Sequence, residues 1–279
     1  ISLSIIISFF MFFASNAQNV TYIDLTQAKF AEVNAEKIFE KIKFVPLETN
    51  QDALLKIRTA TYYLTDKYIV AVNDYTRGYL FDRKTGAFIH EVSSRGQGPD
   101  EYNGWIFDRC GFDEENNILF ADDGAYMGGV WKGINIATNK VETIIKRPMS
   151  ENDSESFRVH APWLINDGIY AGYINNRTGK DKIRLIVFDK DGAIICKYPN
   201  HLEYNKVGSS SPFNNGIYYH YKGQSYFKEW NYNDTVFCIT KKKMSPHIIF
   251  RSGDKQPSYY YQYNANYNKG KYLINFVYE

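Results

Sequence analysis

The chain has 279 residues, 44% of them hydrophobic, which is enough to build a substantial core and argues against intrinsic disorder. A net charge of +2 and a single lysine run, Lys241-Lys242-Lys243, give no basic patch, so a nucleic-acid partner is not expected. Aromatic residues reach 17%, including 24 Tyr, and that composition fits pleated, half-buried surfaces better than helices.

In chain order, Ile1 to Phe13 is almost wholly apolar and is followed by Ala14-Ser15-Asn16-Ala17-Gln18. This pattern predicts a secretory signal peptide over residues 1–17, cleaved after Ala17 and too short to span a membrane comfortably. No other hydrophobic run is long enough to span, so no transmembrane segment is expected after cleavage. The start lacks Met and a basic leader, and the reading therefore expects residues upstream. Cys110, Cys196 and Cys238 are too few and too widely spaced for a disulfide framework or a zinc site and read as structural thiols.

Val20 to Leu25 predicts a short strand, and the Ala/Glu/Lys-rich stretch from Ala28 to Lys41 a short helix. Ile42-Lys43-Phe44-Val45-Pro46-Leu47-Glu48-Thr49 begins by alternating apolar and polar residues, and its proline assigns it to an edge or outer strand. From there a unit recurs. Polar turns lead into apolar strands at Tyr68, Ile118, Ile169 and Ile217, about 50 residues apart, with a fifth instance at Tyr272. The first three units continue into a further strand pair around Phe81-Asp82…Thr85-Gly86, Ile136-Ala137-Thr138-Asn139 and Phe188-Asp189-Lys190-Asp191-Gly192. A fourth pair, at Phe237 to Lys242, is looser. Gly or Asn at these turns supplies the positive φ that tight hairpins require. About four strands per 50-residue unit is the signature of a β-propeller blade, whose two apolar faces are covered only by neighbouring blades. The predicted fold is all-β: a β-propeller of four-stranded antiparallel blades over residues 18–279.

Phe44-Val45-Pro46-Leu47-Glu48-Thr49, then Phe81-Asp82…Thr85-Gly86, then Arg95-Gly96-Gln97-Gly98-Pro99…Glu101-Tyr102 resembles a six-bladed β-propeller family exported by Gram-negative gut-type bacteria. The resemblance covers most of the chain after residue 17 and is fainter beyond Tyr102. It implies six blades, a periplasmic, outer-membrane-associated or secreted location, and an N-terminal strand that joins the closing blade. Four to five blades are present, so the propeller is expected to be incomplete at the C-terminus. Many members carry a lipid-anchor cysteine, which this chain lacks. No established reaction comes with the resemblance.

The loop from Arg95 to Tyr102 has two readings. Its exposed amides, with Arg95, suit a carboxylate or phosphate; equally, the glycines serve a structural crossover with Glu101 and Tyr102 docked on the next blade. Six-bladed propellers of the lactonase class hold a divalent cation between blades, and Asp74 with Asp122 and Asp123 would be the local candidates. The corresponding positions of the later units carry Tyr173 and Tyr221, not carboxylates, and Asp189-Lys190-Asp191-Gly192 reads as a hairpin turn, not a calcium loop. None of His90, His160, His201, His220 and His247 has metal-ligand spacing to another. Trp105, Trp131, Trp163 and Trp230 suit sugar stacking or, equally, blade interfaces.

The functional expectation is a non-catalytic binding or scaffold module. A glycan or peptide would meet the channel mouth through Asp74, Arg95, Gln97, Asp122, Arg158, His160, Tyr173 and Tyr221. No catalytic residue, metal ligand or cofactor is assigned. The alternatives are a metal-dependent lactonase-like hydrolase or lyase, with a divalent cation in the channel, and a structural partner of an envelope protein complex.

Overall fold

The computed structural model describes residues 20–251, apart from 30–31, 33, 38, 56–59, 74–76, 104–111, 124–128, 150–158, 160–161, 167, 175–179, 201–215 and 230–233. The signal-peptide segment, the fifth repeat at Tyr272 and Cys110 fall outside this set. Four four-stranded antiparallel sheets follow one another along the described residues. Blade 1 comprises β2 (Thr61–Leu64), β3 (Tyr68–Asn73), β4 (Arg77–Asp82) and β5 (Phe88–Val92). Blade 2 comprises β6 (Phe112–Asp113), β7 (Ile118–Asp123), β8 (Val130–Asn135) and β9 (Lys140–Lys146). Blade 3 is built from β10 (Trp163–Asn166), β11 (Ile169–Tyr173), β12 (Ile183–Asp189) and β13 (Ile194–Pro199). Blade 4 is built from β14 (Gly216–Tyr221), β15 (Gln224–Glu229), β16 (Thr235–Ile239) and β17 (Met244–Arg251). The short strand β1 (Thr21–Asp24) lies parallel to β17 on the outer edge of blade 4.

The residue pattern explains which strand sits where. Middle strands are covered on both faces and read as continuous apolar runs, as in Ile69-Val70-Ala71-Val72 of β3 and Leu185-Ile186-Val187-Phe188 of β12, all buried. Outer strands are covered on one face and alternate, as in Lys140-Val141-Glu142-Thr143-Ile144 of β9. Three clusters of buried side chains join the blades in sequence. Val70, Val72 and Leu80 of blade 1 pack with Leu119 and Ile134 of blade 2. Phe120, Trp131 and Ile145 of blade 2 pack with Tyr170, Ile186 and Phe188 of blade 3. Trp163, Tyr173 and Leu185 of blade 3 pack with Tyr218, Phe227 and Ile239 of blade 4. The remaining face of blade 1 is covered by Val45, Leu47, Ala53 and Leu55, and that of blade 4 keeps its own cluster around Tyr226, Val236 and Cys238. Among the described residues, blades 1 and 4 share none of these clusters.

The turn between the third and fourth strands is built in a similar way in each blade. Asp82 Oδ1 accepts the Lys84 and Thr85 amides, Asn135 Oδ1 those of Ala137 and Thr138, and Asp189 Oδ1 those of Asp191 and Ala193. Thr240 Oγ1 accepts the Lys243 amide in blade 4. These side chains pre-form the turn by satisfying amides that the ladder leaves free. A register shift, of the kind a β-bulge makes, lies between the third and fourth strands of every blade: at Leu80/Phe81, Gly133/Ile134, Val187/Phe188 and Val236/Phe237.

Several expectations change. The described residues hold four blades, where the resemblance implied six. Tyr68, Ile118 and Ile169 open second strands, whereas Ile217 lies in the first strand of its blade. The true fourth equivalent is Gln224, after the Lys222-Gly223 turn, which matches the positive-φ positions Asn117 and Gly168. Gly216, read as part of that turn, instead lies in β14. The blade 2 hairpin begins at Asn135, not at Ile136. The stretch read as a helix contains, among its described residues, only a 3-10 turn at Ala35–Lys37, and residues 41–49 form no strand.

Candidate binding face

With the blades aligned on their turns, the ends of the second strands fall into register. The equivalent pairs are Val72-Asn73, Asp122-Asp123, Tyr173-Ile174 and Lys228-Glu229, each opposite the start of a third strand. Charged groups gather here, and the contacts show what each one does.

Asp122 is ion-paired with Arg147, whose guanidinium lies 4.3 Å from the centre of the Trp131 ring and also donates to the Val159 carbonyl (3.3 Å). Burial raises the Asp122 carboxyl above its ordinary range, and Arg147 partly offsets that. Asp123 pairs with Lys132 (2.8 Å) and accepts the Asn103 amide (3.0 Å). Glu229 is 2% exposed, lies 3.4 Å from Arg184 Nε and accepts the Tyr173 hydroxyl at 3.3 Å. Lys228 donates to the Glu229 carbonyl (3.0 Å), and burial lowers its basicity. Among the described residues no group of three His, Cys, Asp or Glu converges as a metal-binding set.

The loop 93–103 is fixed to blade 2 on several sides. Lys132 Nζ donates to the Glu101 carbonyl at 2.6 Å. Asp100 pairs with Lys140 (2.7 Å) and accepts the Val141 amide (3.0 Å). The Ser93 amide donates to Asn139 Oδ1 (2.6 Å), and Gly96 N and Tyr102 N close the loop through Tyr102 O and Ser94 O. Glu101 turns back so that its carboxylate accepts the Gly98 amide (2.8 Å) and the Ser94 hydroxyl (3.3 Å). The chain's own carboxylate therefore occupies an amide that the sequence offered to an anion, and Tyr102 is fully buried. These contacts fit the crossover reading of Gly98, Glu101 and Tyr102.

Of the eight sequence-proposed lining residues, Asp74, Arg158 and His160 lie outside the described residues. Asp122 and Tyr173 share the equivalent strand position, and both are engaged in holding neighbouring segments. Tyr221 does not join them. It sits at the opposite end of blade 4, beside the β14–β15 turn and with the Lys222 ammonium 5.1 Å from its ring, because Lys228 takes the equivalent place. Arg95 and Gln97 are exposed on the clamped loop, and neither makes a side-chain hydrogen bond or ion pair among the described residues. Trp131 and Trp163 are buried at blade interfaces; Trp105 and Trp230 are outside the description. The partners that sequence reading missed, Lys132, Arg147, Arg184 and Glu229, are joined by contacts distant in sequence. Their one local signal was a charge placed in or beside an otherwise apolar strand.

A family model described as a domain of unknown function, DUF4934, matches residues 20–279. The chain belongs to the DUF4934 family. No curated protein matches it. Among solved structures, a candidate exported protein from Bacteroides fragilis is similar, with a TM-score of 0.58 and 18% identity over 83% of this chain and 60% of that one. A member of the DUF4221 family from Bacteroides vulgatus gives a TM-score of 0.47 and 10% identity over 77% of this chain and 62% of that one. The DUF4934 chain thus spans about three-fifths of the length of these two structures. At these identities the likeness concerns the fold.

Proposed function

We propose that this DUF4934 chain is an exported β-propeller that acts as a binding or scaffold module. The observation that carries the reading is the division of labour around the loop 93–103. Asp122, Asp123, Glu101 and Glu229 are consumed in joining segments of the fold, whereas Arg95 and Gln97 are presented to solvent on a loop that Lys132, Asp100 and Asn139 hold still. A rigid loop loses little freedom when it binds, and an exposed guanidinium favours a carboxylate. The ligand is a glycan or peptide bearing such a group. Export is supported by the apolar leader before Ala17 and by the description of the Bacteroides fragilis relative. The location is periplasmic, outer-membrane-associated or secreted, and the four blades belong to a six-bladed ring. Among the described residues the outer faces of blades 1 and 4 share no cluster, which fits a ring with further blades.

The test is an array of acidic glycans and peptides probed with the parent protein and with Arg95→Ala/Gln97→Ala. Binding by the parent and at least a tenfold loss in the double variant, with an unchanged unfolding midpoint, is expected. Equal binding by both proteins removes the loop from the site. A stoichiometric divalent ion in the purified protein, together with lactone hydrolysis, replaces the reading with the metal-dependent enzyme.

A further inference from the structure

Blade 4 meets blade 3 through an imidazole as well as through apolar side chains. His220 and Ser225 face each other across the β14–β15 hairpin. The His220 ring lies on Trp163 of β10, with centroids 4.6 Å apart and planes inclined by 14°. Tyr218, two residues earlier on β14, stacks on the same indole at 5.2 Å. Ser225 is 2% exposed, and its Oγ has a neighbour in each blade. His220 Nδ1 of blade 4 is 3.0 Å away, and the Ile165 carbonyl of blade 3 is 3.3 Å away. A hydroxyl has one hydrogen to give, so it cannot serve both at once. The imidazole decides the matter. A bare Nδ1 accepts that hydrogen, whereas a protonated Nδ1 donates to Oγ and leaves the hydrogen to Ile165.

The surroundings pull on the ring from several sides. Burial disfavours the charged form and prevails over Asp113, Glu115 and the Leu164 backbone, which favour it. Asp113 belongs to β6, which lies against β10, and it also accepts the Asn116 amide at 3.1 Å. Glu115 sits in the turn that follows. The four described residues of β10 carry no ionisable side chain, and Lys222, on the hairpin's own turn, lies over the Tyr221 ring. His220 keeps an exposed side, so protons reach it.

We infer that His220 and Ser225 form a proton-operated relay at the seam between blades 3 and 4. In the neutral state Nε2 carries the ring proton and Nδ1 accepts from the Ser225 hydroxyl, a bond within blade 4. A proton arriving on Nδ1 reverses that bond. The imidazolium then donates to Oγ, and the Ser225 hydrogen turns to the Ile165 carbonyl. Acid thus converts a bond internal to one blade into a chain of two that crosses to its neighbour. The crossing bond offsets part of the cost of charging a buried ring.

The test is nuclear magnetic resonance of the full chain between about pH 4 and 8, a range that brackets the ordinary histidine value. Ring nitrogen shifts report the tautomer and charge of His220, and the carbonyl carbon shift of Ile165 reports its hydrogen bond. The expected result is a neutral Nε2–H ring at high pH, with the Ile165 carbonyl and the ring titrating at one midpoint. Ser225→Ala is expected to abolish the Ile165 response while the ring still titrates, and His220→Gln to abolish it as well. A neutral ring protonated on Nδ1 overturns the relay. So does a ring that stays neutral until the protein unfolds, an Ile165 carbonyl that is flat while the ring titrates, or an Ile165 response that survives Ser225→Ala. The tautomer and the shared midpoint are read on the unaltered protein, so the relay stands or falls even where a variant does not fold.

Discussion

At the scale of residues, the chemistry of this molecule is mostly inward. The Arg147–Asp122 pair is the clearest case, with both side chains largely buried and the guanidinium lying on Trp131. Arg147→Ala leaves a desolvated carboxylate and is expected to lower unfolding free energy by about 3–5 kcal/mol, measured by denaturant titration. Adding Asp122→Asn should recover part of that loss, which a simple packing role for Arg147 would not allow. Two titrations make stability rise with pH, in separate windows. His220 stacks on Trp163 at 4.6 Å, and burial lowers its basicity despite the pull of Asp113 and Glu115. The folded state therefore binds fewer protons than the unfolded one, and stability rises as pH increases through the window just below the ordinary value of about 6.5. A His220→Gln variant should flatten that slope. Asp100 is held below the ordinary carboxylate range by Lys140 and the Val141 amide, so its contribution is complete above about pH 4 and is lost as pH falls through its lower folded value. Thermal melts of Asp100→Asn between about pH 2 and 6 check this. None of these partnerships was legible in the sequence, because Arg147 and Asp122, or Lys132 and Glu101, meet through a fold that spacing alone does not supply. What could be read was the turn chemistry, since Asp82, Asn135 and Asp189 act on amides within four residues.

Elements were more legible than contacts, and for a physical reason. A strand covered on both faces is mostly apolar, and a tight hairpin favours a residue tolerant of positive φ, so the apolar runs of β3 and β12 and the turns at Asn117 and Gly192 announce themselves. The fourth blade was misread by one strand because its second strand opens on the polar pair Gln224-Ser225, while Ile217-Tyr218-Tyr219 follows a plausible Asn-Gly pair. The turn itself carries energy: Asn135→Ala removes two side-chain-to-amide hydrogen bonds and should cost about 1 kcal/mol, read from the denaturation midpoint. The strand β1 is different in kind. All four residues are exposed, and it adds a parallel edge to β17, with the Arg251 guanidinium 4.5 Å from the centre of the Tyr22 ring. Deleting residues 20–24 should shift the unfolding midpoint little but expose the β17 edge, raising concentration-dependent aggregation in light scattering.

For the whole molecule, sequence reading reached the repeat and the propeller because both follow from a greasy two-faced unit duplicated at a fixed interval. It did not reach a ligand, since binding faces are made by loops whose neighbours are set by the ring. The register shift that recurs between the third and fourth strands of each blade has a consequence at this scale. A bulge bends and twists the strand that carries it, and in the first three blades the strand beyond it, or the residue that follows, reaches over to the neighbour's last hairpin. Each of these sheets is thereby hooked to the next, like slats sharing one cord. Inserting or removing a single residue at one kink would swing that hook away from its catch, and the disturbance would be felt first in the adjacent unit, not in the one that was altered.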